Sequence, residues 1–208
     1  MLEIVLASGN PGKLIELTEL LRAIPVTLRA QSEFDVPEAV EDGLTFIENA
    51  IIKARNASSH TRRAALADDS GIALDALGGA PGIYSARYAG EGASDAENLN
   101  KLLADTAHLP DDQRHCRFIC VAVYVRHAHD PMPLVCEGVW PGRLLRRPSG
   151  THGFGYDPIF YVPDRKCSSA ELLPTVKNTI SHRAQALQQM ENSLRNEIVC
   201  DDDSPAWV

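Results

Sequence analysis

The spacing of apolar and polar residues at the start of the chain predicts a strand, a turn and a helix. Leu2–Ala7 is a short apolar run bounded by Ser8-Gly9-Asn10, which is typical of a strand that ends in a turn. Asn10 suits a helix N-cap and Pro11 suits the first helical position. The apolar residues that follow recur on one helical face: Leu14, Leu17, Leu21 and Ile24.

Three further helices are predicted from capping residues at their starts. Thr45 and Glu48, and likewise Ser94 and Glu97, have the spacing of a capping box. Ser181 suits the N-cap of the last helix. The expected inner faces are Ile47, Ile51 and Ala54 in the first of these helices, Leu99, Leu102 and Leu103 in the second, and Ala184, Leu187 and Leu194 in the last.

Ala64–Ala67 reads as a buried strand that runs directly into Asp68-Asp69-Ser70-Gly71. In an open α/β sheet the ligand crevice lies beyond the carboxyl ends of the strands. We therefore expect both aspartates just past the end of this strand, in such a crevice; a plain Asp-Ser-Gly turn is the alternative. Cys116–Val125 and Pro133–Trp140 are predicted to be neighbouring strands.

The length and composition of the chain are typical of one globular domain. The chain has 208 residues, 44% hydrophobic and 23% charged. We expect a single two-lobed domain over residues 1–196, followed by a flexible tail over 197–208. The net charge of −8 argues against a nucleic acid polymer as partner.

The cysteines and the apolar segments indicate the compartment. The five cysteines include no C-x-x-C pair, which argues against zinc and favours a reducing, cytoplasmic setting. No signal peptide or segment of membrane-spanning length is expected, and so no membrane partner.

Lys13 lies in the first turn of the first predicted helix, where free N–H groups and the helix dipole attract anions. It is a candidate donor to a bound phosphate; a solvated surface lysine is the alternative. The segment is not a Walker A loop, because Gly9 and Gly12 are separated by two residues rather than four and Leu14 replaces the required Ser or Thr.

Residues 33–43 form an acidic segment just before the second helix. Glu41, near its end, can reach the same crevice as Asp69, unless the acidic side chains serve only solvation. Two carboxylates from separate segments predict a Mg²⁺ site, because Mg²⁺ is commonly held by one or two carboxylates together with substrate phosphates.

Two later stretches suggest a pocket for a flat ring. Gly150–Pro158 alternates glycines with Phe154 and Tyr156, which suits stacking on a base; in the alternative, both rings plug the core. Lys177, His182 and Arg183 cluster around the start of the last helix, where donors are expected to face acceptors on a ligand.

Six motifs together resemble the inosine triphosphate pyrophosphatases, which hydrolyse non-standard purine nucleoside triphosphates. They lie in family order over about residues 4–190: Ser8-Gly9-Asn10-Pro11-Gly12-Lys13, Glu41–Ala50, Ala67-Asp68-Asp69-Ser70-Gly71, Leu77–Tyr88, Gly153–Pro158 and Ile180-Ser181-His182-Arg183.

The resemblance implies an elongated α/β fold with a central mixed β-sheet flanked by helices and a nucleotide cleft between two lobes. It also implies a homodimer and Mg²⁺ dependence. The implied reaction is hydrolysis of dITP, ITP or XTP to the monophosphate and pyrophosphate, which cleanses the nucleotide pool.

The resemblance also assigns roles by motif. The first motif would be a substrate-binding segment that consists of Ser8, Gly9, Asn10, Pro11, Gly12 and Lys13. Within it, Ser8, Asn10 and Lys13 would hold the phosphates. Asp69 would be the catalytic carboxylate and Ser70 a substrate contact. Phe154, Gly155, Tyr156 and Asp157 would line the base and sugar pocket, and Lys177, His182 and Arg183 would read the base. The metal would be held by Asp69 with either Glu38 or Glu41.

The residues fit this chemistry independently of the resemblance. Cleavage between the α- and β-phosphates needs charge neutralisation, an oriented water and a base, and either Asp68 or Asp69 can accept the proton. Donors at Lys177, His182 and Arg183 would favour a 6-keto purine over adenine, because the adenine amino group would leave them unpaired.

Two other functions are consistent with parts of the sequence. Asp69-Ser70-Gly71 after an apolar strand also matches an aspartic protease signature, but that fold needs a second copy or a small β-rich dimer, and the chain has one copy among several helices. The stronger alternative is a non-catalytic purine nucleotide-binding protein, since every candidate residue can bind without catalysing.

Overall fold

The computed structural model describes residues 2–22 and 25–202, with side chains to residue 196. Within these ranges it contains seven strands and five α-helices. The strands are β1 (Leu2–Leu6), β2 (Val26–Ala30), β3 (Ala64–Leu74), β4 (His115–Val125), β5 (Leu134–Leu144), β6 (Phe160–Val162) and β7 (Cys167–Ser168). The helices are α1 (Pro11–Leu20), α2 (Phe46–Thr61), α3 (Asp95–Asp105), α4 (Pro174–Ile180) and α5 (His182–Asp202).

All seven strands form one mixed sheet in the order β2-β1-β3-β4-β5-β6-β7. The first three strands are mutually parallel, and from β3 onward each neighbour is antiparallel. Helices α1 and α5 pack on one face of the sheet, and α2 packs on the other face against β3 and β4. The predicted α/β class with a central mixed sheet flanked by helices is therefore confirmed.

The helix starts predicted from capping residues are confirmed by their hydrogen bonds. Asn10 Oδ1 accepts from the backbone N–H of Lys13 at 3.1 Å. The hydroxyls of Thr45, Ser94 and Ser181 cap α2, α3 and α5 in the same way. Leu17 and Leu21 are buried as expected from the pattern of α1, whereas Ile24 lies outside the described residues.

The predicted inner face of α2 is wrong at Ile47, which is 43% exposed. The buried face consists of Ala50, Ala54 and Ala57, which pack against Ala65, Ala67 and the valines of β4. Small side chains on both partners let the helix approach the sheet closely, so the alanine stripe marks the buried side better than the larger isoleucines do.

The strand expected to end at Ala67 instead continues to Leu74, so Asp68 and Asp69 lie in the middle of β3. The turn alternative is wrong for the same reason. Antiparallel β4 pairs with β3 from Ala65 to Leu74 and satisfies its backbone, whereas parallel β1 pairs with it only as far as Leu66. The aspartates therefore lie beyond the carboxyl end of β1, not of their own strand.

Two further predictions concern the C-terminal tail and membrane-spanning segments. Helix α5 continues to Asp202, and residues 203–208 lie outside the described residues, so the flexible tail over 197–208 stays a prediction. None of the described helices combines the length and apolarity needed to cross a membrane.

Candidate functional site

A cavity of about 340 Å³ opens beyond the end of β1, between the start of α1, the middle of β3 and the start of α5. It brings together sixteen of the residues predicted from the sequence: Ser8, Gly9, Asn10, Lys13, Glu38, Glu41, Asp68, Asp69, Ser70, Phe154, Gly155, Tyr156, Asp157, Lys177, His182 and Arg183. Pro11 and Gly12 do not line it. Pro11 begins α1, and Gly12 lets Phe154 approach, because a Cβ there would lie 2.9 Å from the Phe154 ring.

Asp68 and Asp69 project from opposite faces of β3, since side chains alternate along a strand. Asp68 lies two residues after Leu66, so its side chain faces the same side of the sheet, which α1 and α5 cover. Asp69 lies two residues after Ala67 and four after Ala65, so its side chain faces the side of the sheet that α2 covers. Because β1 ends before this point, the cavity reaches both aspartates from the open edge of β3.

Asp68 is a buried carboxylate that two cations neutralise. Its Oδ2 lies 3.0 Å from Lys13 Nζ and 3.5 Å from Arg183 Nη2. Burial raises the Asp68 pKa, but the charges of Lys13, Arg183 and Lys53 outweigh burial and hold the pKa below its ordinary value. Lys13 is thus a cavity residue rather than a solvated surface lysine.

Asp69 shares one cation with Glu41. Lys53 Nζ, from α2, lies 2.7 Å from Asp69 Oδ1 and 3.2 Å from Glu41 Oε2. Burial raises the Asp69 pKa above its ordinary value, although Lys53 and Lys13 oppose that shift. Sequence reasoning missed Lys53; the signal was its place beside Ala50 and Ala54 on the helix face that is buried.

The carboxylates at this end of the cavity fit a hard divalent cation. Asp69 Oδ2 is buried and has no hydrogen-bond partner among the residues that the structure describes, and Glu41 is close enough to bind the same ammonium group as Asp69. In the described residues no three His, Cys, Asp or Glu side chains form a ready metal-binding group. Two carboxylates with open positions suit Mg²⁺, which keeps waters and substrate oxygens in its coordination shell.

At the other end of the cavity, the two aromatic residues of the glycine-rich loop behave differently. The Phe154 ring lies over Lys177 Nζ and Arg183 Cζ, at 5.1 and 5.6 Å from its centroid. Tyr156 is buried, and its hydroxyl donates to Ser85 O at 2.8 Å. Tyr156 therefore fits the core-plugging alternative, and Phe154 is the ring available to a ligand.

The predicted donors Lys177 and Arg183 are already paired with carboxylates. Lys177 Nζ lies 2.7 Å from Asp157 Oδ2 and 3.0 Å from Glu16 Oε1. Arg183 forms an ion pair with the same Glu16 and donates to Ser70 Oγ at 3.1 Å. Sequence reasoning missed Glu16; its spacing of three residues from Lys13 places both on one side of α1.

Asp157 holds the glycine-rich loop as well as Lys177. Its Oδ2 accepts from the backbone N–H of Phe154 at 2.9 Å, and its Oδ1 accepts from Ser169 Oγ at 2.9 Å. The carboxylate is buried. Asp157 thus fixes the loop that carries Phe154, which is a positioning contact that spacing in the sequence does not reveal.

His182 is buried at the start of α5 and stacks on Phe118, with ring centroids 4.7 Å apart and planes 11° apart. Within the described part of the chain, its Nδ1 has no hydrogen-bond partner. Burial, followed by the charges of Arg183 and Lys177, lowers the His182 pKa well below its ordinary value. The neutral ring offers one donor and one acceptor to a ligand.

Comparisons with known proteins match the chain over nearly its whole length. The model of the Ham1 family matches residues 4–193. The chain is 56% identical over 200 residues to the dITP/XTP pyrophosphatase of Vibrio cholerae, covering 96% of this chain and 100% of that protein. It is 57% identical over 196 residues to that of Escherichia coli K12, covering 94% and 100%.

A solved structure of a HAM1 protein from Coxiella burnetii has the same fold. It is 52% identical in sequence and superposes with a TM-score of 0.88, covering 94% of this chain and 100% of that one. The similarity therefore extends over the sheet, the flanking helices and the cavity between them.

Proposed function

This chain belongs to the Ham1 family, and we propose that it hydrolyses the non-standard purine nucleoside triphosphates dITP, ITP and XTP to the monophosphate and pyrophosphate. The observation that carries this proposal is the meeting of Lys13, Asp68 and Asp69 with Phe154 and His182 in one cavity. The relatives at 56–57% identity are named dITP/XTP pyrophosphatases, which supports a catalyst rather than a non-catalytic binder.

We infer that Mg²⁺ is required, because the charged side chains that line the cavity offer a triphosphate no net positive charge. Its lining contains five cations and six carboxylates: Lys13, Lys53, Arg87, Lys177 and Arg183 against Glu38, Glu41, Asp68, Asp69, Asp95 and Asp157. A polyphosphate would meet cations that are already neutralised. Asp69 and Glu41, which share Lys53, are the proposed ligands, while Glu38 lines the same cavity and stays the second candidate.

The bound cation would offset negative charge on the phosphates and orient a water. Lys13, with Ser8 and Asn10 beside it in the cavity lining, binds the phosphate chain, since an ammonium group and polar side chains can donate to phosphate oxygens. Water adds to phosphorus, the bond between the α- and β-phosphates breaks, and a carboxylate takes the proton from the water. Asp69 suits that role better than Asp68, because Asp68 already neutralises both Lys13 and Arg183.

We propose that the purine stacks on Phe154 and that its edge faces His182 and Arg183. Arg183 Nε and His182 Nδ1 are buried atoms that have no hydrogen-bond partner in residues 2–22 and 25–202, and both residues line the same cavity. The 6-keto oxygen of the purine accepts a hydrogen bond from the Arg183 guanidinium. Adenine has an amino group at that position, so two donors would face each other and the guanidinium would stay unpaired. The expected discrimination is about 1–3 kcal/mol for each unpaired buried group.

We also propose a homodimer, which the family resemblance implies, and a cytoplasmic location, which the cysteines indicate. The cysteines Cys116, Cys120, Cys136 and Cys167 are free thiols, and the first three are buried, which supports a reducing compartment. Light scattering coupled to gel filtration tests the dimer, which predicts twice the mass of the 22.7 kDa chain.

The decisive experiment measures pyrophosphate release from dITP with Mg²⁺ by the wild type and by Asp69→Asn. We expect stoichiometric pyrophosphate from the wild type. The variant should lose about 100-fold or more of the turnover, which is the usual contribution of a positioned general base, while still binding dITP.

Two outcomes contradict the proposal. Tight binding of dITP by the wild type without turnover would identify a non-catalytic nucleotide-binding protein. Orthophosphate as the sole direct product would identify a different phosphohydrolase.

A further inference from the structure

A second cavity, of about 570 Å³, lies at the end of β5 and shares no lining residue with the first. It is bounded by the segment that follows β5 and by residues of β6, β7 and the turns beside them. Its basic lining residues are Arg114, Arg143, Arg146, Arg147 and Lys166, and its acidic ones are Asp111 and Glu171. A chain with a net charge of −8 thus collects five cations around one concavity.

Most of this positive charge is not compensated within the described part of the chain. Arg146 is paired with Asp111 at 2.7 Å, and Glu171 accepts from the backbone N–H of Ser168 at 2.7 Å. No carboxylate of the described residues forms an ion pair with Arg114, Arg143, Arg147 or Lys166. The cavity is therefore a local site of positive potential.

Arg114 makes this potential a fixed property of the fold. It is only 3% exposed, and its guanidinium donates to the carbonyl oxygens of Leu144, Thr106 and Leu145 at 2.9, 2.6 and 2.8 Å. These bonds hold the side chain in place but supply no negative charge. Burial lowers the Arg114 pKa and the charge of Arg146 lowers it further, while the charge of Asp111 opposes the shift without cancelling it. An anion in the cavity would therefore reduce the cost of burying this charge.

We propose that this second cavity binds a small, multiply charged oxyanion of the phosphate type. Arg143 and Arg147 are exposed at its rim and free to supply forked N–H donors, which match phosphate oxygens in pairs. Lys166 adds a third exposed donor, and Arg114 adds a buried charge to the same lining. The concave shape and the small number of cations favour a compact anion over a nucleic acid polymer, which needs an extended basic face.

The second cavity is also connected to the first through two consecutive serines. Ser168 lines the second cavity and donates from Oγ to Ser149 O at 2.7 Å, also in that lining. The next residue, Ser169, donates to Asp157 of the first cavity at 2.9 Å. An anion bound in the second cavity would thus lie close to Ser169 and Asp157, which hold the loop that carries Phe154.

The test is calorimetric titration of the full-length chain with inorganic pyrophosphate, in a Lys13→Ala background that weakens binding in the first cavity. We expect residual binding in that background, weakened at least about tenfold by adding Arg143→Ser and Arg147→Ser, since each change removes charge-assisted hydrogen bonds to the anion. Both arginines are exposed, so the double change leaves the core intact. Adding Arg22→Ser and Lys101→Ser instead removes the same charge elsewhere and should leave residual binding unchanged.

The proposal fails if Lys13→Ala shows no residual binding of pyrophosphate, or if the residual binding is the same with and without Arg143 and Arg147. It also fails if the control pair weakens binding as much as the arginine pair, because the effect would then be one of net charge. A parallel titration with orthophosphate distinguishes a single phosphate group from a diphosphate as the preferred occupant.

Discussion

Asp68 and Asp69 are neighbours in sequence with opposite pKa shifts, and the alternation of side chains along β3 explains the difference. Asp68 points to the face where Lys13 and Arg183 lie, and they lower its pKa despite burial. Asp69 points to the α2 face, where burial outweighs Lys53 and raises its pKa. Two adjacent carboxylates thereby receive different environments, which fits the proposed roles of Asp68 as a counter-ion and Asp69 as the base.

At the residue scale, His182 predicts a specific loss of stability in mild acid. Its pKa is lowered in the folded protein, so the unfolded chain binds a proton more readily than the folded one. The stabilisation is complete above the unfolded pKa of about 6.5 and is lost as pH falls below it, by up to about 1.4 kcal/mol per pH unit. Urea unfolding from pH 7.5 to 5.0 measures this loss.

His182→Phe is the matched variant, because it keeps an aromatic ring against Phe118 and removes the titrating group. Its stability should fall less than that of the wild type over the same pH range. Parallel curves for the two proteins would show that His182 does not cause the pH dependence.

Lys13 predicts a difference between nucleotides that carry three phosphates and one. Lys13→Ala should weaken binding of a non-hydrolysable inosine triphosphate about 10–100-fold, the cost of one charge-assisted contact, and weaken the monophosphate much less. Calorimetric titration with both ligands measures the two losses. Lys101→Ala, which removes an exposed lysine paired with Asp105, is the control, and equal losses for both nucleotides would remove Lys13 from the phosphate-binding role.

At the scale of elements, helix starts were predictable because their signals are local. Asn10, Thr45, Ser94 and Ser181 each satisfy N–H groups within three residues, so sequence alone contains both partners. The end of β3 was not predictable, because it depends on pairing with β4 some fifty residues away in the chain. An Asp-Ser-Gly segment in the middle of a strand needs such a partner to override its turn preference.

Gly138 in β5 predicts how closely the sheet must approach the start of α5. A Cβ at this position would lie 1.9 Å from His182 O and 2.8 Å from Ala186 N, both backbone atoms. Gly138→Ala must therefore displace the first turn of α5, and overpacking of this kind costs about 1–3 kcal/mol. Because His182 and Arg183 lie in that turn, dITP turnover should fall together with the urea midpoint.

Val139→Ala is the control, because it changes the next residue of β5 on the partly exposed side of the strand. It should leave dITP turnover near that of the wild type. Unchanged turnover and stability in Gly138→Ala would show that α5 can move away from β5 without consequence.

At the scale of the whole molecule, the contacts missed from sequence are those that join distant elements. Lys53 reaches Asp69 from α2, and Glu16 reaches Lys177 and Arg183 from α1, across more than 160 residues. The motifs predicted which residues gather in the cavity, yet not which cation pairs with which carboxylate. That pairing is set by the sheet order, which places the starts of α1 and α5 beside the middle of β3.

The sheet also predicts that the chain unfolds as one unit, as expected for a single domain over residues 1–196. Residues of β3 belong to three separate clusters of the core: Leu66 to the cluster under α1 and α5, Ala65 to the cluster under α2, and Ile72 to the cluster around Trp140. If one cluster unfolded, β3 would lose contacts on which the other two clusters also depend. No part of the domain is therefore expected to unfold alone.

Urea unfolding followed by far-ultraviolet circular dichroism and by tryptophan fluorescence tests this cooperativity. Trp207→Phe leaves Trp140 as the single reporter, and Trp140 lies in the cluster farthest along β3 from the one under α1. The two probes should give the same midpoint, because two-state unfolding makes every probe follow one transition. A fluorescence midpoint separated from that of circular dichroism would divide the chain into two lobes of independent stability, and the cavity between them would then owe its shape to docking rather than to the continuous strand.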